Sequence, residues 1–179
     1  QEYFNVKADL VTYAKAMGNG FPIGAVCGKK EIMSEIGPLM IPMGGTYAGN
    51  VVAAAAADAT LDVIDGGALK NVEAHGKKLM KGIEEIFKAQ GVPAVIQGPP
   101  SMFGVVLTDK DEVSEYRHWA DSDHDTYEEI ILKLFEKGVM PDKDSREPWF
   151  VSASHTDADA DEVLTAFEEA VKDVLSQRR

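Results

Sequence analysis

Lys15 is the residue in this chain with the clearest reason to do chemistry. It stands in Asp9-Leu10-Val11-Thr12-Tyr13-Ala14-Lys15-Ala16-Met17-Gly18-Asn19-Gly20-Phe21-Pro22-Ile23-Gly24-Ala25, apolar company before it and a glycine cluster after it. Taking a lysine out of water disfavours the cation, so its pKa falls and the neutral amine becomes a nucleophile. Such an amine forms a Schiff base with a carbonyl cofactor or substrate. The simpler reading, on spacing alone, is a surface lysine whose stem lies over apolar side chains. Gly18, Gly20 and Gly24 do not make a nucleotide loop: the last glycine of the dinucleotide pattern is out of place, and Pro22 falls where its helix should begin. They are better suited to unusual backbone angles and close approach around Lys15.

A second stretch, Gly44-Gly45-Thr46-Tyr47-Ala48-Gly49-Asn50, sets a hydroxyl ahead of a helix start. That is a geometry for holding phosphate, although Thr46 or Asn50 acting only as a helix cap is the simpler reading. Arg146, beside Glu147, can clamp a substrate carboxylate through two parallel hydrogen bonds or form a surface ion pair. None of His75, His118, His124 and His155 forms a His-Glu-x-x-His pair. His118 and His124, among Asp121, Asp123 and Asp125, read as part of a solvated acidic loop and not as a metal centre. His155 reads as a structural hydrogen-bonding residue, and Ser152 and Ser154 have no triad neighbours.

The elements that must position these residues follow from periodicity. Residues 1–47 read as loops and short strands, with Val6 to Tyr13 and Ala25-Val26-Cys27 as extended segments and Lys30 to Glu35 as a short helix. Asn50 to Ile64 is alanine-rich and helical, and Asp65-Gly66-Gly67 interrupts it. Leu69, Val72, Leu79, Ile83, Ile86 and Phe87 recur every three or four residues and predict an amphipathic helix over about 68–89, stopped by Gly91. Ala94-Val95-Ile96, Phe103 to Leu107 and Trp149 to Ala153 predict strands. Thr126 to Glu136 and a last helix capped by Asp157 or Asp159 predict the remaining helices. The second half is thus a compact α/β unit, while the first half lacks the alternating helices of a complete domain.

Composition bounds the partners. The 179 residues are 45% hydrophobic and 27% charged, the balance of an ordinary globular protein. Eighteen basic against thirty acidic side chains give a formal charge of −12 and no basic footprint for nucleic acid. The single cysteine, Cys27, excludes a disulfide framework and a cysteine-rich zinc site. No apolar run is long enough to span a membrane, and no signal peptide opens the chain, so a cytoplasmic location is expected.

Together the two motifs resemble the class III pyridoxal-phosphate aminotransferases. Asp9 to Gly28 is similar to the family's cofactor-lysine segment, and Gly45-Thr46-Tyr47-Ala48-Gly49-Asn50 to its second signature, except that Val51 stands where many members have proline. Ser101-Met102-Phe103-Gly104, Gly138-Val139-Met140-Pro141 and Phe150-Val151-Ser152-Ala153-Ser154-His155-Thr156 resemble the branch containing glutamate-1-semialdehyde 2,1-aminomutase. The resemblance implies an α/β fold, the C-terminal part of a fold-type I transferase: the end of the large cofactor-binding domain over 1–67, a connecting helix over 68–90 and a small α/β domain over 91–179.

It also implies roles. Lys15 would form the internal Schiff base with pyridoxal 5'-phosphate and shuttle the proton. Gly45 and Thr46 would bind the cofactor, with Thr46 reaching the phosphate held by the neighbouring subunit of a homodimer. An amino donor and a keto acceptor would be the substrates, and no metal is implied. The family's upstream Asp-Glu-Val segment, phosphate loop and ring-stacking aromatic are absent from these residues, so a missing N-terminal portion is expected, and the segment alone should be inactive. Gly44 stands before Gly45-Thr46 where mutases carry alanine, and the loop around Arg146 looks divergent. The expectation is therefore an aminotransferase, with the aminomutase or a non-catalytic fragment as alternatives.

Overall fold

The first regular element is a hairpin. In the computed structural model, which describes residues 1–37 and 40–178, Leu10–Tyr13 (β1) pairs antiparallel with Ala25–Gly28 (β2), setting Leu10 opposite Gly28 and Tyr13 opposite Ala25. The β-branched Val11, Thr12 and Val26 suit the pleated backbone. An ion pair between Asp9 and Lys29 closes the open end, and the Lys29 amide donates to the Asp9 carbonyl at 3.1 Å. Residues 14–24 form the hairpin's loop, and Lys15–Met17 within it make a short 3-10 turn.

Lys30–Met33 (α1) is a single helical turn, and Val51–Val63 (α2) is the first full helix. Asn50 caps α2: its side-chain oxygen accepts from the amides of Val52 and Ala53, each at 3.0 Å. Ala53 and Ala57, one helical turn apart, are buried, and α2 packs against the Lys15–Met17 turn. Small side chains let the two backbones approach closely. The helical path widens through Ile64–Ala68, where Gly67 takes φ +98°, an angle that glycine adopts without steric penalty. The chain divides there into two units, Gln1–Ala68 and Leu69–Arg179.

The second unit contains the larger core. Leu69–Gln90 (α3) buries Val72, Leu79, Ile83 and Phe87 along one stripe. Val95–Gln97 (β3), Met102–Val106 (β4) and Trp149–Phe150 (β5) form an antiparallel sheet in the order β3-β4-β5, with Ile96 opposite Val105 and Phe103 opposite Trp149. Tyr116–Ala120 (α4), His124–Glu136 (α5) and Asp157–Gln177 (α6) complete it, α6 packing on both α3 and α5. Phe87 meets Phe167 edge-on at 5.1 Å, and Phe103 stacks on Trp149 at 5.9 Å. Each fully buried side chain of this size contributes about 1.5–3 kcal/mol of transfer free energy.

Besides the start of β1, at Leu10 and not Val6, and the cap of α6, which is Thr156 and not Asp157 or Asp159, two elements differ from the sequence expectation. The last strand stops at Phe150, short of Ala153, because the Ser152 amide turns to donate to His155 Nδ1 at 3.0 Å. Helix α4 lies inside the acidic stretch that reads as irregular. Its Trp119 indole donates to Ser145 Oγ at 2.9 Å, a tertiary contact without a local sequence signal. Among the described residues no helix is long and apolar enough to cross a membrane.

Candidate cofactor site

The hairpin loop holds Lys15 in an uncommon backbone conformation. Ala14 is extended, Lys15 turns to φ +52°, and three successive short bonds follow: Met17 N–H to Ala14 O at 3.1 Å, Gly18 N–H to Lys15 O at 3.1 Å and Asn19 N–H to Ala16 O at 3.3 Å. A left-handed angle costs a residue with a Cβ about 1–2 kcal/mol, and such outliers concentrate where function over-determines the backbone. Gly18 is the buried residue of the turn, and a Cβ there would lie 2.8 Å from the Phe21 carbonyl oxygen and collide with the Ile23 side chain. The close approach that the sequence assigns to these glycines is therefore present at Gly18.

The desolvation expected of Lys15 is not supplied within this unit. Lys15 is exposed, because its immediate neighbours Ala14 and Ala16 are too small to cover an amine at the start of the hairpin loop and are themselves exposed. Nζ has no hydrogen-bond or ion-pair partner among the described residues. The structure thus presents an uncommitted primary amine on a fixed turn.

Thr46 lies in the turn over residues 46–49, ahead of α2, and is exposed. With Asn50 as the cap of α2, the capping role is accounted for without Thr46. The Thr46 hydroxyl and amide have no partner among the described residues. The amides of Val52 and Ala53, already taken by Asn50, are not free to bind an anion. A Cβ on Gly45 would meet nothing within 4 Å, so this unit makes no steric demand for glycine there. An uncommitted amine and an uncommitted hydroxyl with its amide match the donor set that an aldehyde bearing a phosphate requires, and to that extent the residues fit pyridoxal phosphate.

Arg146 belongs to the second unit and is committed. Its guanidinium forms an ion pair with Asp144, donating from Nε to both carboxylate oxygens at 3.0 and 2.9 Å, and lies over the Trp119 ring at 4.9 Å. The hydrogen bonds from Arg146 hold the Asp144 carboxyl down at about 2. Of the two arrangements open to Arg146, the structure holds the surface ion pair. His155 accepts from the Ser152 amide, as a structural histidine does. His118 lies 3.6 Å from Glu115, while His124 packs on the Trp119 ring at 4.1 Å. Among the described residues no group of three or more potential metal ligands comes together.

Sequence reasoning did not anticipate a pocket of about 370 Å³ in the second unit, lined by His75, Leu79, Trp149, His155, Asp159 and Val163 among others. His75 Nε2 lies 3.1 Å from Asp157, while its Nδ1 is buried without a hydrogen-bond partner among the described residues. Nor did it anticipate the relay below, in which Trp149 Nε1 donates to the Tyr127 hydroxyl at 3.1 Å and that hydroxyl donates to the Asp142 carbonyl at 3.1 Å. Neither has a signal in local spacing, since both join residues far apart in sequence.

Comparison with known proteins gives a consistent frame. The family described as Aminotransferase class-III matches residues 1–171. Glutamate-1-semialdehyde 2,1-aminomutase of Methanopyrus kandleri is 34% identical over 173 residues, covering 96% of this chain and 40% of that protein. The protein of that name from Clostridium perfringens is 36% identical over 171 residues, covering 94% and 40%. The chain thus spans about 40% of the length of these curated relatives. Among solved structures, an omega-transaminase from Sphaerobacter thermophilus superposes with a TM-score of 0.83 at 24% identity, over 98% of this chain and 41% of that one. The FumI protein of Sphingopyxis sp. MTA144, in its PLP internal aldimine form, gives 0.81 at 25%, over 98% and 39%. The fold is accordingly that of the fold-type I transferases, ending in a mixed α/β region.

Proposed function

The chain belongs to the class-III aminotransferase family, and on that premise we propose that it carries the reactive lysine and a phosphate-binding threonine of a longer pyridoxal-phosphate enzyme that moves an amino group between neighbouring carbons of one molecule. The observation that carries the chemistry is the uncommitted Lys15 amine on its left-handed turn, in the motif position of the family's lysine. The intramolecular form is supported by relatives at 34–36% identity that are named glutamate-1-semialdehyde 2,1-aminomutase. The sequence expectation put transfer between two molecules first, and these relatives favour its alternative. Transfer to a second molecule keeps two features of the sequence in its favour: Gly44 stands where the resemblance puts the alanine of mutases, and the loop around Arg146 looks divergent from them.

Bound pyridoxal phosphate supplies an aldehyde carbon and an electron sink for the carbon that loses its proton. Lys15 Nζ would be the group that holds the cofactor and gives it up to the incoming amine. Once free, Nζ accepts the proton from the substrate carbon and delivers it again as general acid. Thr46 Oγ1 and the Thr46 amide would be the donors that hold the phosphate group. A homodimer in which Thr46 serves the neighbouring subunit's phosphate is part of the proposal, in keeping with the exposure of Thr46, Tyr47 and Val51.

The test uses the full-length protein. Borohydride reduction followed by peptide mapping is expected to place the cofactor on Lys15. To a separate, unreduced sample of the protein the amino aldehyde is supplied without any keto acid. Sustained conversion to the 2,1-exchanged product supports the intramolecular reading, whereas turnover that requires an added keto acid replaces it with the aminotransferase. A label that maps elsewhere overturns the assignment of Lys15.

A further inference from the structure

We propose that Gly18 is a positioning residue for Lys15, setting the reactivity of Nζ through the backbone without touching it. The inference deepens the function proposed above and rests on it only for the identity of the group that Lys15 meets. Gly18 has φ −105° and ψ 0°, angles open to any residue, so what the turn requires there is space and not backbone freedom. That space is walled by the Phe21 carbonyl oxygen, 2.8 Å from where a Cβ would stand, and by the Ile23 side chain.

The carbonyl cannot yield cheaply, because it accepts from the Ile23 amide at 2.9 Å. Gly18 is bonded on both sides: its own amide donates to the Lys15 carbonyl at 3.1 Å, and its carbonyl accepts from the Phe21 amide at 3.1 Å. A side chain that drives Gly18 away from Phe21 therefore pulls on the bond that closes the turn over Lys15. Lys15, at φ +52°, has no side-chain partner among the described residues to hold that angle. When the bond opens, the residue relaxes toward the ordinary negative-φ basin, and its side chain leaves in another direction.

Gly20 supplies the contrast. It lies two residues on with φ +103°, and a Cβ there would meet nothing within 4 Å, so substitution strains the loop without a collision against the lysine turn. Gly18→Ala in the full-length protein is expected to lower kcat at least tenfold while KM for the amino substrate stays within about threefold, the signature of a misplaced group that acts in the transition state. It is also expected to move by half a pH unit or more both the titration of the bound cofactor's visible absorption and, in the cofactor-free protein, the pH dependence of Lys15 acylation by an amine-reactive reagent read by mass spectrometry. Gly20→Ala is expected to lower Tm and leave both titrations in place.

Unchanged Lys15 acylation in Gly18→Ala overturns the proposal, and so do equal shifts in both glycine variants. If Gly18→Ala does not accumulate as folded protein, Ile23→Ala opens the turn from the other wall and should shift Lys15 acylation by a smaller amount. An unshifted profile in that variant also overturns it. If the wild-type protein shows no cofactor absorption, the function proposed above fails, and the acylation profiles still decide the role of Gly18.

Discussion

Thr46 and Asn50 divide two roles that the sequence leaves open between them. Asn50 holds the first amides of α2, so Asn50→Ala is expected to cost about 1 kcal/mol of stability with little effect on cofactor retention. Thr46→Ala is expected to do the reverse. Loss of one hydrogen bond to a charged group, about 1.5–3 kcal/mol, weakens phosphate binding roughly ten- to hundredfold with an unchanged melting curve for the cofactor-free protein. Cofactor titration and thermal unfolding of the two variants separate the roles. Residue types were legible at this scale, since an amine among glycines and a hydroxyl before a helix are visible as letters. Environment was not. That Lys15 is exposed depends on how little Ala14 and Ala16 cover, and that Arg146 is committed depends on Asp144 folding back across two residues.

At the scale of elements, the start of α6 shows how a correct pattern can point to the wrong residue. Asp157 and Asp159 read as caps in the sequence, but Thr156 is the cap: its Oγ1 accepts from the Asp159 amide at 3.3 Å, and Asp159 reaches back to the Thr156 amide at 2.6 Å. Thr156→Ala should cost about 1 kcal/mol by chemical denaturation. Helix α5 adds a pH prediction. Burial pushes the Tyr127 hydroxyl up to about 12, against a smaller opposing effect of the Trp149 hydrogen bond. The folded state therefore keeps a proton that the unfolded chain releases near pH 10. The stability linked to Tyr127 is whole below pH 10 and is lost as pH rises toward 12, about 2–3 kcal/mol in all. Tyr127→Phe should flatten that alkaline fall in a pH series of denaturant melts. Helices α3 and α5 were legible because their apolar stripes repeat over several turns, whereas α4, a single turn of mixed residues, is made by Trp119 reaching Ser145.

The whole molecule is uneven. The second unit has a continuous core including Ile83, Phe103, Ile130, Leu134, Phe167 and Val171. The first buries Ala53 and Ala57 and leaves Phe4 70%, Met43 66% and Val51 79% exposed. Residues 69–179 expressed alone should unfold cooperatively in urea, and residues 1–68 alone should show no such transition. The proposed homodimer is tested by mixing Lys15→Ala and Thr46→Ala full-length proteins after dissociation. If Thr46 serves the neighbouring subunit, heterodimers regain one working site of two and the mixture recovers about a quarter of wild-type activity by random pairing. If Thr46 serves its own subunit, the mixture, assayed at limiting cofactor, shows no more activity than the two variants unmixed. The break at Gly67 was legible as a run of Asp-Gly-Gly, but the imbalance of burial was not, because apolar letters are plentiful on both sides of it.

That imbalance has a bearing on biosynthesis. Of the two units, the one with the lysine hairpin and α2 leaves the ribosome before the Phe103–Phe167 core exists, so the unit with less burial of its own, including the exposed Phe4, Met43 and Val51, is made before the better-buried one. Chaperone demand during translation should therefore fall on the reactive end of this sequence, and mutations that slow its assembly should appear first as loss of soluble yield.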